Sequence, residues 1–285
     1  MNYPYFRIRE VWSHNMEEEL IMLDSSLFKF PVVSVDTEFP GCILKTAKNV
    51  PDDVRYDNMK FNVEKSKLIQ LGVTLSNERG TIFATWEFNF RFDVDQDRHS
   101  EDSIEFLKQH GIDFARLKND GIEIKRFSAA VSYMLSRHRN IHWVTFQGLY
   151  DLAYILHGVT RNPLPESADE FVILTQHVLG SVIDVKYMAK FCEGLHGGEL
   201  GLQRLGDVLG IKRTGGSHTA GSDSLLTAMI LATMIMEFDM DPSIYEGCLY
   251  GLDITTQISS RRYYCYVVPQ YCDGVFEPVM LPRTV

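Results

Sequence analysis

The chain has 285 residues, 45% of them hydrophobic and 23% charged, a balance typical of a soluble globular protein with ample material for a core. Its formal net charge of -10 argues against a protein that grips nucleic acid through a broad basic face, because sequence-independent affinity comes mainly from Lys and Arg against phosphates. The 5 cysteines are odd in number and contain no C-x-x-C pair, so neither a disulfide framework nor a zinc site is indicated. A reducing compartment fits this cysteine content.

One large domain is expected, because the sequence contains no linker, low-complexity tract or fixed-period repeat. The N-terminus lacks the basic start and apolar run of a secretory signal. The longest apolar stretch, residues 225–236, is too short to span a bilayer, so we expect a core helix there and no membrane partner.

The first third of the chain predicts a helix, a buried strand and a hairpin. Residues 10–27 carry apolar side chains at helical spacing, with acids near the start. Residues 32–39 predict a buried strand, and residues 68–75 and 81–90, separated by NERG, predict a hairpin paired with it. Residues 42–67 are polar and irregular, so we expect a long loop, and long ordered loops are often functional.

The rest of the chain predicts mainly helices. Residues 100–111 have an N-cap serine and a glycine stop, and residues 125–138 show an amphipathic period. Residues 142–148 predict a strand. Further helices are expected at 149–158, 167–179, 185–193, 200–209 and 219–237. This order predicts a three-layer fold of the α/β or α+β class.

Acids recur in three apolar settings of this sequence. Asp36 and Glu38 are two apart in the predicted first strand, so their side chains project from the same face near its carboxyl end, where open α/β sheets place their sites. Asp151 begins a helix after a later strand, where an acid also complements the helix dipole. Carboxylates are costly to bury unpaired, so a pair of divalent metal ions is a plausible shared counterion. An isolated D-x-E pair is more commonly only solvated.

His218 and Asp223 form the third setting. On one continuous helix the two residues would be separated by about 140° and would face different directions. If the helix instead starts near Thr219 or Ala220, Asp223 lies about a turn inside it, and His218 in the preceding loop can lie close to Asp223. A lone histidine in a Gly/Ser loop is more often simply exposed. Asp184 is a further acid between a strand and a helix, and we expect it to cap that helix.

These three settings resemble the motifs of the DEDD superfamily of 3′-to-5′ exonucleases, in its histidine branch. Further stretches narrow the resemblance to the CAF/Pop-type deadenylases, the catalytic exonuclease subunit of the CCR-NOT mRNA deadenylation complex: IREVW, VDTEFPG, KLIQLG, WEFNF, IDVKYMAK, GLQRLGDVLG and HTAGSDSLLT. The resemblance runs from about residue 8 to residue 252, which implies a single exonuclease domain over 8–252 and a divergent C-terminal tail at 253–285. It also implies an RNase H-like α/β fold of three layers, with a mixed central sheet flanked by helices. The activity implied is that of a poly(A)-specific exoribonuclease that acts in the cytoplasm and nucleus.

Carried over position by position, the resemblance assigns the metal-binding acids to Asp36, Glu38, Asp151 and Asp223, and the general base to His218. The second motif departs from the family pattern, which is close to FHSGYDFGY, whereas this chain has FQGLYDLAY. The cofactors implied are two divalent ions, Mg²⁺ or Mn²⁺, which prefer carboxylate and water oxygens.

The expected partners are the 3′ end of single-stranded poly(A) RNA, the large scaffold of the complex and its second deadenylase. Phe39, next to the first acids, is a candidate for stacking on a terminal base, although a wall or core position is the commoner role of such a residue. Two alternatives stay open. One is an exonuclease without poly(A) preference, and the other is a catalytically quiet binding module that keeps the fold.

Overall fold

A mixed sheet of six strands lies at the centre of the structure, a computed structural model that describes residues 7–47 and 50–251. The strands are β1 (Ile8–Val11), β2 (Val32–Glu38), β3 (Gln70–Ser76), β4 (Ile82–Asn89), β5 (His142–Thr145) and β6 (Ser181–Asp184). Their spatial order is β1-β4-β3-β2-β5-β6. The pairs β2/β3 and β3/β4 are antiparallel, while β1/β4, β2/β5 and β5/β6 are parallel. The predicted hairpin and the buried strand beside it are confirmed.

Helices flank this sheet on both sides. Those in the described part of the chain are α1 (Met16–Ser26), α2 (Asp52–Lys65), α3 (Glu101–Gln109), α4 (Phe114–Asp120), α5 (Ile124–Arg137), α6 (Leu149–Thr160), α7 (Ala168–Val178), α8 (Val185–Met188), α9 (Leu202–Val208) and α10 (Ala220–Phe238). The helix predicted at 185–193 is the short α8 followed by a 3-10 turn, and α4 had not been predicted. The tail predicted at 253–285 lies outside the described residues.

The two faces of the sheet contribute to two different cores. Because side chains alternate along a strand, Val33 and Val35 of β2 join a core with α1, α2, α5, α6 and α7, whereas Val32 joins a core with α8, α9 and α10. A smaller apolar cluster lies under α3 and α4 and includes Trp12 and Ile69. Helices on both faces of one sheet make the three layers that the sequence predicted.

The N-terminal helix begins later than predicted. Residues 8–11 form the edge strand β1, which pairs with β4, and α1 starts only at Met16. The turn between them is fixed by Asn15, whose side chain accepts a 2.7 Å hydrogen bond from the Trp12 backbone and donates one to the Glu10 carbonyl. The prediction of a helix from residue 10 was wrong because pairing with a distant strand outweighs local helical spacing.

The predicted loop at residues 42–67 was also wrong, since 14 of its residues form α2. The inward face of α2 consists of Tyr56, Met59, Val63 and the polar Asn62. Asn62 is fully buried because its amide bonds both the N–H and the carbonyl of Leu44, at 2.8 and 2.9 Å. A buried amide among many charges hides the apolar period by which a helix is recognised.

α10 is the core helix that the sequence predicted. It has the length and apolar character of a membrane-crossing helix, but 78% of that stretch is buried inside the protein. Its first turn packs onto β3 at Gly72, where a Cβ atom would lie 1.8 Å from the carbonyl oxygen of Ala220. Glycine is therefore required at residue 72 for the helix to approach the sheet this closely.

The substitution Gly72→Ala should lower the free energy of unfolding by about 1–3 kcal/mol, because the added methyl must displace the backbone of α10. Gly158→Ala is the matched control. Gly158 lies within α6, a Cβ there meets only Ile124 Cδ1 at 3.4 Å, and alanine is favoured in helices by about 1 kcal/mol. Urea unfolding of both variants checks this, and equal stabilities for Gly72→Ala and the unsubstituted protein would contradict it.

Candidate active site

All five residues that the sequence singled out come together at one edge of the sheet. Asp36 and Glu38 lie at the end of β2, and Asp151 lies in the first turn of α6, which follows β5. Asp223 lies in the first turn of α10, and His218 lies just before that helix. β2 and β5 are parallel neighbours, so their carboxyl ends open at the same edge. The location at the carboxyl ends of parallel strands is as predicted.

Glu38, His218 and Asp223 form the tightest group in the site. Each offers one ligand atom, and these atoms all lie within 4.8 Å of one another. α10 begins at Ala220 with Thr219 as its N-cap residue, so His218 belongs to the loop and Asp223 to the first helical turn. This is the arrangement that resolves the unfavourable spacing of the two residues along the sequence.

Asp151 is held against β2 by the residue between the two strand acids. Its Oδ1 accepts hydrogen bonds from the backbone N–H of Thr37 at 2.8 Å and from the Thr37 hydroxyl at 2.6 Å. Burial raises the pKa of Asp151 to about 7, although the two bonds from Thr37 act in the opposite direction. Despite the altered second motif, the acid reaches the site.

The two acids of β2 also titrate far from their ordinary range. Burial is the largest cause that raises the pKa of Asp36, followed by the charges of Asp151, Asp223 and Glu38. Burial and the charges of Asp223 and Asp151 raise the pKa of Glu38 to about 8. Each carboxylate thus makes ionisation of the others harder, the behaviour of like charges that share one site.

Arg213 is a member of the site that the sequence analysis missed. Its Nη1 forms an ion pair with Asp223 Oδ1 and donates a 3.0 Å hydrogen bond to Ser222 Oγ. The guanidinium also lowers the pKa of Asp36. The available signal was one arginine in the loop KRTGGSH, beside a lysine, which by itself indicates no function.

Gln70 and Glu87 are two further residues that the sequence analysis did not assign. The Gln70 side chain accepts from the Ala220 N–H at 3.3 Å, and Glu87 accepts from the Gly221 N–H at 3.0 Å. Thr219 makes no capping bond of its own, so side chains from β3 and β4 satisfy the first amides of α10. Burial raises the pKa of Glu87 against the effect of the Gly221 N–H, and the motif letters WEFNF were the only sequence signal.

Asp184 caps the next helix, as predicted. Its carboxylate accepts from the backbone N–H groups of Lys186 and Tyr187 at the start of α8, at 3.0 and 3.3 Å. It also accepts from the backbone of Gln147 and Gly148, at 3.0 and 3.2 Å. Asp184 therefore ties β6 to the β5–α6 corner. The candidate metal ligands are the other four acids, Asp36, Glu38, Asp151 and Asp223.

Phe39 lies partly buried between two tyrosines. Its ring stacks on Tyr150 at 5.1 Å and on Tyr154 at 5.0 Å between ring centroids, and it packs against the main core. The stacking of Phe39 on a substrate base stays a prediction.

The donor set fits hard divalent cations. Four carboxylates face one another with Arg213 as the cation paired to one of them, so the group retains an excess of negative charge. No thiolate belongs to the group of Glu38, His218 and Asp223, and carboxylate oxygens are the ligands that Mg²⁺ and Mn²⁺ prefer. Asp36, Glu38, Asp151 and Asp223 are the residues that would hold such ions.

Comparison with known proteins places this architecture in a family. The pattern of the CAF1 family ribonucleases matches residues 11–133 and 124–231. This chain belongs to the CAF1 ribonuclease family. It is 43% identical over 231 residues to the probable CCR4-associated factor 1 homolog 5 of Arabidopsis thaliana, covering 80% of this chain and 82% of that protein. The probable homolog 1 of the same organism is 40% identical over 247 residues, covering 86% and 68%.

Solved structures of the family share the fold. The S. pombe Pop2p structure in its Mg²⁺- and Mn²⁺-bound form superposes with a TM-score of 0.80 at 36% identity, covering 86% of this chain and 99% of that one. The yeast CAF1 structure co-crystallised with the NOT1 MIF4G domain has a TM-score of 0.74 at 26% identity, covering 88% and 100%. The predicted RNase H-like α/β fold and the predicted CAF/Pop-type membership are confirmed, and the chain is an exoribonuclease of this family.

Metal-free protein should lose stability as the pH rises. The native state binds protons at Glu38 and Asp151 more tightly than the unfolded chain does, since the native pKa values are about 8 and about 7 instead of 4.5 and 3.8. This contribution is therefore complete below about pH 4 and is lost as the pH passes through the native values. Thermal melting in the presence of chelator, measured from about pH 5 to about pH 9, checks this prediction. The melting temperature should fall as the pH rises across that range.

Mg²⁺ should remove most of this pH dependence, because the ion replaces the protons as counterion and adds about 2.7 kcal/mol at a hundredfold excess over its Kd. The triple variant Asp36→Asn, Glu38→Gln, Asp151→Asn removes the three carboxyl groups with raised pKa values, is the control and should show a clearly smaller fall in melting temperature across the range. A flat profile in the unsubstituted protein, or no response to Mg²⁺, would contradict a carboxylate metal site.

Thr37→Val should weaken the site selectively. The variant keeps the shape of the side chain and the backbone bond to Asp151 but removes the hydroxyl bond, at a cost of about 1–3 kcal/mol for a buried acceptor that loses a partner. Thr37→Ser keeps the hydroxyl and is the control. Isothermal titration calorimetry should show that Thr37→Val binds Mn²⁺ more weakly than Thr37→Ser does. Equal affinities would mean that the Thr37 hydroxyl does not support metal binding.

Proposed function

We propose that the protein is a poly(A)-specific 3′-to-5′ exoribonuclease, an mRNA deadenylase that releases 5′-AMP by two-metal-ion hydrolysis. The observation that carries this proposal is the group of Glu38, His218 and Asp223, whose ligand atoms lie within 4.8 Å, beside Asp36 and Asp151 in a chain of the CAF1 ribonuclease family. All five residues of the family's catalytic pattern are present, which favours an active enzyme over a quiet binding module.

The carboxylates would divide the metal-binding work by their position. Asp36 would contribute to both metal positions, Glu38 and Asp223 would hold the ion next to His218, and Asp151 would help to hold the other ion. Bound there, two divalent ions stabilise the attacking and the leaving oxygens of an in-line phosphoryl displacement. Similarity to Pop2p in its Mg²⁺- and Mn²⁺-bound form supports the choice of metal.

His218 would act as the general base. Burial lowers its pKa, with Asp223 acting in the opposite direction, so the imidazole is neutral and able to accept a proton at neutral pH. It takes the proton of a water that attacks the last phosphodiester. The bond to the preceding 3′ oxygen breaks, the shortened RNA leaves with a 3′-hydroxyl, and the released nucleotide carries the 5′-phosphate.

The proposed partners are the scaffold and the second deadenylase of the CCR-NOT complex. Support comes from the yeast CAF1 structure with the NOT1 MIF4G domain and from the CCR4-associated relatives. The net charge of -10 fits recruitment, because an enzyme delivered to mRNA by partners needs little RNA affinity of its own. Action in the cytoplasm and nucleus is part of the same proposal.

The decisive assay compares 5′-labelled poly(A), poly(U) and single-stranded DNA of one length, with Mg²⁺ or Mn²⁺ and with chelator. Poly(A) should shorten from its 3′ end fastest and only with metal. Asp36→Ala should abolish the reaction, and His218→Ala should slow it about 10²–10⁴-fold, the usual contribution of a general base. Equal rates on the three substrates would favour a general exonuclease, and full activity of Asp36→Ala would refute the mechanism.

A further inference from the structure

The imidazole of His218 must be oriented accurately if it is to accept a proton from the attacking water, and the loop that carries it does little to orient it. His218 is exposed and its backbone has a φ of 61°, a left-handed conformation that is unfavourable for a residue with a side chain. Within the described residues, its ring nitrogens form no hydrogen bond or ion pair. A base in an enzyme site is normally oriented by a third group.

Two rings at the end of α3 supply the contacts that the loop lacks. Phe106 meets the His218 ring edge-on, with 4.8 Å between centroids and 67° between planes. His110 meets it at 4.6 Å and 81°. Edge-to-face contacts at such distances are the favoured geometry of aromatic pairs and contribute about 0.5–1.5 kcal/mol each beyond area burial.

Phe106 and His110 also fix each other. They are four residues apart on one helix face, and their centroids are 4.2 Å apart. His110 Nδ1 donates a 2.8 Å hydrogen bond to the Phe106 carbonyl, because a carbonyl oxygen can only accept. The His110 ring is thereby held in one orientation against His218.

α3 is anchored to the strand that bears the first acids. Its buried residues Ile104 and Leu107 join the cluster that contains Ile69, and the Ile69 N–H bonds the carbonyl of Glu38 at 2.9 Å. At the other end, the Ser100 N–H bonds the Pro40 carbonyl at 2.8 Å. The helix end that touches His218 is therefore positioned relative to Glu38.

We propose that Phe106 and His110 are positioning residues, which hold the His218 imidazole over Glu38 and Asp223 without touching the substrate. This inference rests on the proposed role of His218 as general base. A misplacement of about 1 Å can cost about 10²-fold in rate, so Phe106→Ala should lower kcat about tenfold with KM unchanged. His110→Phe, which keeps a ring there, should stay close to the unsubstituted rate, and His110→Ala should not.

A double-mutant cycle separates positioning from a merely structural role. If the two residues act through His218, then Phe106→Ala and His110→Ala should have no further effect on kcat in a His218→Ala background. Gln109→Ala is the control, since Gln109 is exposed on the same helix and, within the described residues, its side chain donates its hydrogen bond to Glu105 and contacts no part of the site. It should leave kcat and melting temperature unchanged in both backgrounds.

A readout that does not need activity completes the test. The proton on Cε1 of His218, assigned by its absence in His218→Ala, should change its NMR chemical shift in Phe106→Ala and keep it in Gln109→Ala, because the neighbouring ring current is lost. An unchanged shift would overturn the inference, even for a protein inactive on every RNA.

Two kinetic outcomes would also overturn it. If Phe106→Ala lowered kcat by the same factor in the His218→Ala background as in the unsubstituted protein, then Phe106 would act on a group other than His218. A rise in KM with unchanged kcat would mean that the rings stack on a substrate base. A failure of the proposed function itself is distinct, since the unsubstituted protein would then leave poly(A) intact or degrade all three substrates at equal rates.

Discussion

Mutual repulsion among carboxylates at one edge of the sheet is the constraint on which the rest of this structure depends. Burial and neighbouring negative charge raise the pKa of Asp36, Glu38 and Asp151, so the folded chain carries a group that is unfavourable without a counterion. The two hydrophobic cores and the six-stranded sheet contribute the folding free energy that offsets this unfavourable group. Arg213 offsets part of the charge through Asp223 and leaves the remainder for divalent ions.

The close approach of α10 to β3 follows from that constraint, since Asp223 must reach β2 across the sheet. Gly72 removes the side chain that would block the helix, and Gln70 and Glu87 accept the first helical amides. Farther along, the hydroxyls of Thr74 and Ser224 meet at 3.0 Å. The polar groups at this contact are thus satisfied, and a buried polar contact is stabilising only in that condition.

The second motif, FQGLYDLAY, differs from the family pattern in its residues, but its acid, Asp151, still lies in the site. Gln147 takes a left-handed φ of 59°, and a Cβ on Gly148 would lie 2.2 Å from Thr145. Asp184 holds the backbone of both residues, and Lys186 bonds the Gln147 side chain at 2.8 Å. This corner turns the chain from β5 into α6 so that Asp151 faces Thr37.

The sequence by itself determined the hairpin, the late helices and the family, and it singled out the five candidate site residues, because strand and helix periods and motif spacing are local properties. Only the tertiary structure decided what depends on distant partners. Residues 8–11 became a strand by pairing with β4, and α2 formed around a buried amide that no apolar period reveals. Arg213, Glu87 and the rings of Phe106 and His110 gained their places through contacts between segments far apart in the chain, and such contacts leave no regular spacing to recognise.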